Sequence, residues 1–344
     1  MNRRPPSEFL ERPGRSSVGS FRAILAVACL VGAVACGNPL PSQPISPSPS
    51  SASFAVSTPK SSQDDSEDTQ PSDLDGLVIL TGGALSIGTP GGVLIGLDGP
   101  ARPITGLSAT KGRLIVQAAG PVFAIADVDR AASSPPAWRA AELSALEGRQ
   151  LLSAAVLSPR GDQVAVASAA PGRPQTFDIL VVDLAGGVPR ITSIGREPNG
   201  PPVWIDDAGL LLEVLPVPGG TRFLRLDLVT GRQEPIAADG FGPAFSGDGS
   251  LLAVASTDGS VVAVPAAGWL AGRPPDEGSL VDASGSVFEL AVDAEGRRIA
   301  IGYANDAGDP GSIAVFVREG GGWRRHAVSI RMGSGSPAML GWLN

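Results

Sequence analysis

The sequence predicts an all-β protein in which six sheets of about four strands are arranged in a ring. Three observations support this fold class. A glycine turn followed by an apolar strand recurs along the chain. A second apolar strand follows each of these turns. The last segment of the chain also supplies the strand that the first repeat lacks. Together these features indicate a closed array of repeated sheets.

The repeat is clearest in residues 246–256 and 158–168, where a polar turn with a glycine precedes small and branched apolar residues. Residues 206–212 and 293–301 have the same pattern, and two weaker copies lie upstream. The turn glycines are 36, 49, 48, 40 and 47 residues apart: Gly76, Gly112, Gly161, Gly209, Gly249 and Gly296. This spacing is typical of one four-stranded sheet per repeat.

The second strand of several repeats ends in an aspartate followed by small residues. These aspartates are Asp98, Asp127, Asp183 and Asp227. An aspartate at a strand end accepts hydrogen bonds from turn amides, and the small residues allow the chain to reverse. The pattern therefore predicts a turn into the next strand.

The two ends of the repeat region complement each other. Residues 337–344 repeat the incoming strand seen at 202–206 and then stop, whereas the first repeat begins directly at its turn, at Gly76. Pairing of the C-terminal strand with the first sheet would close a ring and cover its open edges. Trp204 and Trp342 occupy the same register, so we expect both rings to lie in the core between sheets.

The pattern Ser-Pro-x-Gly-x-x-Val-Ala at 158–165, the Val-Val-Asp-Leu ending at 181–184 and the split closing repeat resemble the TolB-like group of six-bladed β-propellers. The repeat of that group is often called WD40-like. The resemblance covers residues 74–344 and implies the fold. It does not specify a function, because this architecture serves binding scaffolds, assembly factors and hydrolase-associated domains alike.

Residues 1–35 are predicted to be a signal peptide. Arginines precede an apolar run at 23–35 that is too short to span a bilayer. Ala33 and Ala35 before Cys36 resemble the bacterial lipobox, which implies lipidation of Cys36. The alternative is an ordinary cleaved signal with a coincidental cysteine.

Residues 36–72 are predicted to be a disordered linker that follows the lipidated cysteine, and residues 73–344 the propeller. The linker is rich in Pro, Ser and Thr and ends in an acidic run at 64–68. Such a segment cannot bury enough apolar surface to offset the entropy lost on ordering. We expect it to be a solvated tether.

Composition excludes several classes of function. The formal net charge of -8 removes the electrostatic basis for nucleic-acid binding. Cys29 and Cys36 are the two cysteines, and both precede the repeats, so the predicted propeller has no disulfide and no thiolate metal site. No motif indicates a cofactor.

Candidate site residues are few. The one histidine, His326, is predicted to be exposed or at the rim of an outer strand, and no catalytic residue is predicted. Asn305, Asp306 and Asp309 form a weak calcium candidate, although a hairpin loop of this composition needs no metal.

Trp138 and Trp269 lie in segments predicted to be connecting loops, where an exposed aromatic ring is costly. They are weak candidates for a binding surface, and packing within the loop is the alternative.

These features predict a lipid-anchored protein at the extracytoplasmic face of the cell membrane. Its propeller would be a binding scaffold for an unidentified envelope protein or small ligand, and not for nucleic acid. The alternative is a carbohydrate- or peptide-acting hydrolase or lyase with carboxylates in the axial pocket. Two or more buried, facing acids there would favour the enzyme. A third possibility is a purely structural subunit of an envelope complex.

Overall fold

The computed structural model describes residues 71–343, apart from 101–102, 119–120, 130–135, 142, 216–219, 276–277, 284–285, 305–309 and 332–338. The predicted signal peptide, Cys36 and almost all of the predicted linker lie outside this range. Within the described residues, every helix falls short of the length and apolarity of a membrane span.

The described residues form six antiparallel sheets of four strands each, here called blades 1 to 6. In blades 2 to 6 the four strands follow one another in sequence, and the first is the innermost. The strands are β1 Leu77–Thr81, β2 Ala84–Gly88, β3 Leu94–Leu97, β4 Ile104–Thr110, β5 Arg113–Ala118, β6 Phe123–Asp127, β7 Arg139–Ala141, β8 Val156–Leu157, β9 Gln163–Ala170, β10 Arg173–Asp183, β11 Arg190–Ile194, β12 Val203–Asp206, β13 Gly209–Glu213, β14 Phe223–Asp227, β15 Gln233–Ile236, β16 Phe241–Phe245, β17 Leu251–Ala255, β18 Val261–Pro265, β19 Ser279–Asp282, β20 Ser286–Val292, β21 Arg298–Ala304, β22 Pro310–Glu319, β23 Gly322–Arg331 and β24 Met339–Trp342.

Helical structure in the described part is limited to short segments. The 3₁₀ turns Pro71–Leu74 and Ser144–Leu146 precede blades 1 and 3, and the helix α1, Ala266–Leu270, follows β18. The protein is therefore an all-β six-bladed propeller, as the repeats predict.

Blade 1 is built from both ends of the repeat region. Its strand order is β24-β1-β2-β3, with Trp342 opposite Leu77 and Gly341 opposite Val78. The Leu343 N–H also donates to the Gly76 carbonyl at 2.8 Å. The predicted closure of the ring by the C-terminal strand is confirmed.

The repeat glycines lie at the turn between the first and second strands of each blade. Five of the six have φ between 65° and 80°, a region that favours glycine. At Gly249 a Cβ would also lie 2.6 Å from the Ile205 carbonyl oxygen of the preceding blade. Both the backbone conformation and the close contact between blades therefore favour glycine at this turn.

The core lies between neighbouring blades, and the second strands are its most buried part. Val164, Val166 and Ala167 of β9 are fully buried, for example. Trp204 and Trp342 each donate their Nε1–H to a carbonyl of the preceding blade, Val156 at 3.0 Å and Ala291 at 3.2 Å. The prediction that these two rings fill equivalent positions between blades is confirmed.

Candidate functional site

The innermost strands of all six blades line a central channel that encloses a cavity of about 520 Å³. Most of its wall is apolar, with Leu107, Phe288 and Met339 among the lining residues. A concave, largely apolar space with few polar groups is the usual form of a ligand pocket. The channel is therefore the candidate site.

The register of the blades defines equivalent positions around the channel. The residues opposite the start of each second strand are Trp342, Ala109, Leu157, Trp204, Phe245 and Val292. The residues three positions earlier, in or just before the inner strands, are Met339, Gly106, Ala154, Pro201, Gly242 and Glu289. Five of these positions are apolar or lack a side chain. Glu289 of blade 6 is the exception, and it lines the channel.

A β-bulge sets the position of Glu289. In the pairing of β20 with β21, Val287 lies opposite Tyr303 and Glu289 opposite Gly302, so Phe288 is the extra residue. A Cβ at Gly302 would lie 2.7 Å from Cζ of Phe288, so the glycine makes room for that ring. Bulges of this kind redirect side chains next to functional sites.

Burial raises the pKa of Glu289 to about 8, although a backbone hydrogen bond from Leu340 acts in the opposite direction. The residue is half-buried and opens only onto the channel. At neutral pH its carboxyl group therefore holds a proton for most of the time.

The other charged residue among the described channel-lining residues is Glu213, and it is already neutralised. Its Oε1 accepts hydrogen bonds from Nε of Arg222 at 2.9 Å and from Nδ2 of Asn199 at 2.6 Å. The two acids thus differ in their partners. Glu213 is paired with the Arg222 cation, whereas Glu289 accepts a hydrogen bond from the backbone amide of Leu340.

One position on the neighbouring inner strand leaves the channel wall without a side chain. This position on β16 is Gly242, whose φ is +53°. A Cβ built there would have no other atom within 4 Å. The wall of blade 5 is therefore open at this point of the channel.

His326 lies on the outermost strand of blade 6, as predicted, but its side chain is not exposed. Its side chain is only 10% exposed, with Nδ1 2.6 Å from Oδ2 of Asp73 and Nε2 3.0 Å from Oε1 of Glu319. Asp73 belongs to the 3₁₀ turn that begins the propeller and packs against blade 6. A segment distant in sequence thus covers a side chain that its own strand would leave exposed.

The prediction that Trp269 lies in a loop and forms a contact surface is wrong. Trp269 lies in α1 and is 1% exposed. Its ring packs edge-to-face on Phe223 at 5.0 Å, and its Nε1–H donates to the Asp239 carbonyl. The chain enters α1 directly after β18, and the helix turns this ring into the core between blades 4 and 5.

Trp138 is half-buried, and its Nε1–H donates to the Asp98 carbonyl of blade 1 at 2.6 Å. It packs against the apolar cluster between blades 1 and 2. These contacts agree with the alternative that Trp138 has a packing role. Its role as a binding residue stays a prediction. Neither Trp138 nor Trp269 is among the described residues that line the channel.

The remaining candidates, Cys36 and the calcium candidate of Asn305, Asp306 and Asp309, lie outside the described residues. Lipidation and calcium binding therefore stay predictions. Within the described ranges, no three or more His, Cys, Asp or Glu side chains cluster in a way that could hold a metal ion.

Solved structures with similar folds include TolB from Acinetobacter baumannii. The TM-score is 0.56 at 13% identity, over 78% of this chain and 67% of that one. The fold is TolB-like. At this identity the likeness establishes the fold alone. It therefore confirms the fold that the resemblance of the repeats predicts.

Two further structures match less well. An oligogalacturonate lyase in complex with manganese gives a TM-score of 0.46 at 13% identity, over 70% of this chain and 69% of that one. An uncharacterized protein from Listeria monocytogenes gives 0.41 at 11% identity, over 67% and 68%. No family model and no curated protein matches the sequence.

Proposed function

We propose that this protein is an exported, lipid-anchored propeller that binds an envelope protein or a small ligand in its central channel. The observation that carries the proposal is the channel itself. All six inner strands contribute to one open, largely apolar cavity, and a single uncompensated acid, Glu289, interrupts its described wall.

The geometry of the acids supports binding over the alternative of glycoside or peptide cleavage. Hydrolysis by carboxylates requires two acids that face each other, one to protonate the leaving group and one to act as base or nucleophile. Among the described channel-lining residues, Glu213 is held by Arg222, so Glu289 lacks a free acidic partner.

The first described residues lie at the outer part of blade 6. The turn Pro71–Leu74 packs there, and Asp73 contacts His326 of the outermost strand β23. The proposal of an anchor rests on the sequence around Cys36.

Lipidation is tested by replacing Cys36 with serine and labelling cells with a fatty-acid analogue. We expect loss of the label and release of the protein from the membrane fraction. Cys29→Ser is the matched control, because the same tripeptide, Ala-Val-Ala, precedes both cysteines. Full labelling of the Cys36→Ser protein would contradict the anchor.

Binding in the channel is tested by placing a photo-crosslinking amino acid at Ala154, which lines the channel. Ile95 on the outermost strand of blade 1 is the control, because it is exposed on the outer rim. We expect a crosslinked species in intact cells from the channel position alone. Crosslinks only from Ile95 would place the binding surface on the rim instead.

A further inference from the structure

We propose that the channel recognises its ligand through one organic cation, an alkylammonium or guanidinium group, which pairs with the Glu289 carboxylate. This inference rests on the proposed function and specifies the ligand chemistry of the same site. The cation could belong to a small amine or to a lysine or arginine side chain, because both present the same group.

The first argument is charge. Glu289 is the one charged channel-lining residue in the described part of the chain without a charged partner. A half-buried carboxyl group next to apolar walls is costly to ionise unless a cation accompanies it. A bound cation supplies that partner and so stabilises the ionised form of Glu289, whereas a neutral or an anionic ligand does not.

The second argument is position. Five of the six equivalent sites around the ring offer a methionine, an alanine, a proline or a glycine, so the acid is a single specific feature of the wall. The bulge at Phe288 fixes its direction, and the absence of a side chain at Gly242 leaves room in the channel wall of the neighbouring blade. An elongated ligand with one cationic end fits this combination of apolar wall and single acid.

The third argument concerns protons. The elements packed around Glu289 contribute the Leu340 backbone N–H from β24, Gly242 from β16 and Gly302 from β21. The remaining titratable group of the described channel wall is Glu213, which Arg222 holds. Because burial raises the pKa of Glu289 to about 8, a cation that binds near pH 7 must displace a proton. Its affinity should rise with pH up to about 8.

The test uses isothermal titration calorimetry of the purified protein with two cationic probes. Agmatine represents a free small cation, and acetyl-Gly-Lys-Gly-amide represents a side chain. The peptide with norleucine in place of lysine is the neutral control. We expect at least one cationic probe to bind, with affinity rising by up to about tenfold per pH unit between pH 6 and 8. The norleucine peptide should bind at least about tenfold more weakly than the lysine peptide.

Glu289→Gln is the decisive variant. We expect it to weaken binding by about 10- to 100-fold and to abolish the pH dependence, while Glu289→Asp keeps part of the affinity. Glu295→Gln is the matched control, because Glu295 is exposed in the turn that follows the same strand, and it should bind like the wild type.

Binding of agmatine alone assigns a small-molecule cation, and binding of the lysine peptide assigns a protein side chain. Failure of both cationic probes, or equal binding by the wild type and Glu289→Gln, overturns the inference. A crosslink from Ala154 under those conditions would leave the proposed function standing, so the two failures are distinguishable.

Discussion

Two junctions between neighbouring blades make the same central contact in different surroundings. At the junction of blades 3 and 4, the Trp204 indole donates to Val156, and at the closing junction of blades 6 and 1 the Trp342 indole donates to Ala291. The indole contact is thus shared by these two junctions. The polar groups around it differ.

At the junction of blades 3 and 4, the ion pair of Arg160 with Asp207 is 65% and 41% exposed and contributes little. At the closing junction, Arg298 pairs with Asp293, and these side chains are 17% and 1% exposed. Arg298 also donates to the Asp75 carbonyl at 2.8 Å and lies 4.4 Å from the centre of the Trp342 ring. The ion pair at the junction made from the two chain ends is therefore far more buried than the one at the continuous junction.

Removal of residues 340–344 tests the closing junction most severely. The truncated chain loses the inner strand of blade 1 and exposes β1 as an open edge, so we expect the melting temperature to fall by at least about 10 °C or folding to fail. Thermal unfolding monitored by circular dichroism measures this. A truncated protein that melts within about two degrees of the intact chain would show that the closing strand is dispensable.

Trp342→Ala and Trp204→Ala compare the two junctions directly. Each removes a buried ring, so we expect each to lower the free energy of unfolding by about 3–5 kcal/mol. The Trp342 variant should lose about 0.5–1 kcal/mol more, because it also removes the contact with Arg298. Denaturant titration of both variants gives the two values, and a larger loss for Trp204→Ala would reverse the comparison.

Glu289→Gln tests how the stability of the closing junction depends on pH, because Glu289 accepts a hydrogen bond from Leu340 there. Because the folded pKa of about 8 lies above the ordinary value of 4.5, the folded protein binds more protons and its stability falls as pH rises through this interval. The glutamine variant has no such dependence, so its advantage should grow to about 4 kcal/mol by pH 8. Denaturant midpoints at pH 5 and pH 8 measure this, and equal differences at both would exclude a buried acid.

His326→Ala tests the smallest contribution, the attachment of the turn Pro71–Leu74 to blade 6. Loss of the contacts with Asp73 and Glu319 should lower the free energy of unfolding by about 1–2 kcal/mol. Arg160→Ala, which removes the exposed pair at the other junction, is the control and should change it by less than about 0.5 kcal/mol. Equal effects of the two variants would mean that the burial of His326 adds nothing.

The fold was predictable because its determinants are local and repeated. The turn glycines mark each blade, and the unpaired C-terminal strand with Trp342 indicates the closure. The glycine signals lie within a few residues of the turns they specify, and the closure follows because the C-terminal strand repeats the pattern that the first repeat lacks.

The site was less predictable because it depends on contacts between distant segments. His326 is covered by Asp73 from the start of the propeller, and no pattern near His326 indicates this. Trp269 is buried because α1 turns it inward, which its proline- and glycine-rich surroundings do not predict. Glu289 had one usable signal, a single acid within the otherwise apolar incoming strand 286–292. The bulge that aims it into the channel depends on pairing with Gly302.

The hydrogen bond between Leu343 and Gly76 has a consequence for protein engineering. The two ends of the folded region meet within one blade, so a short peptide could join them and the polypeptide could be opened at an outer loop between two other blades. Such a circular permutant would keep all six sheets and would move the new termini, and any fusion partner, to a chosen point on the circumference.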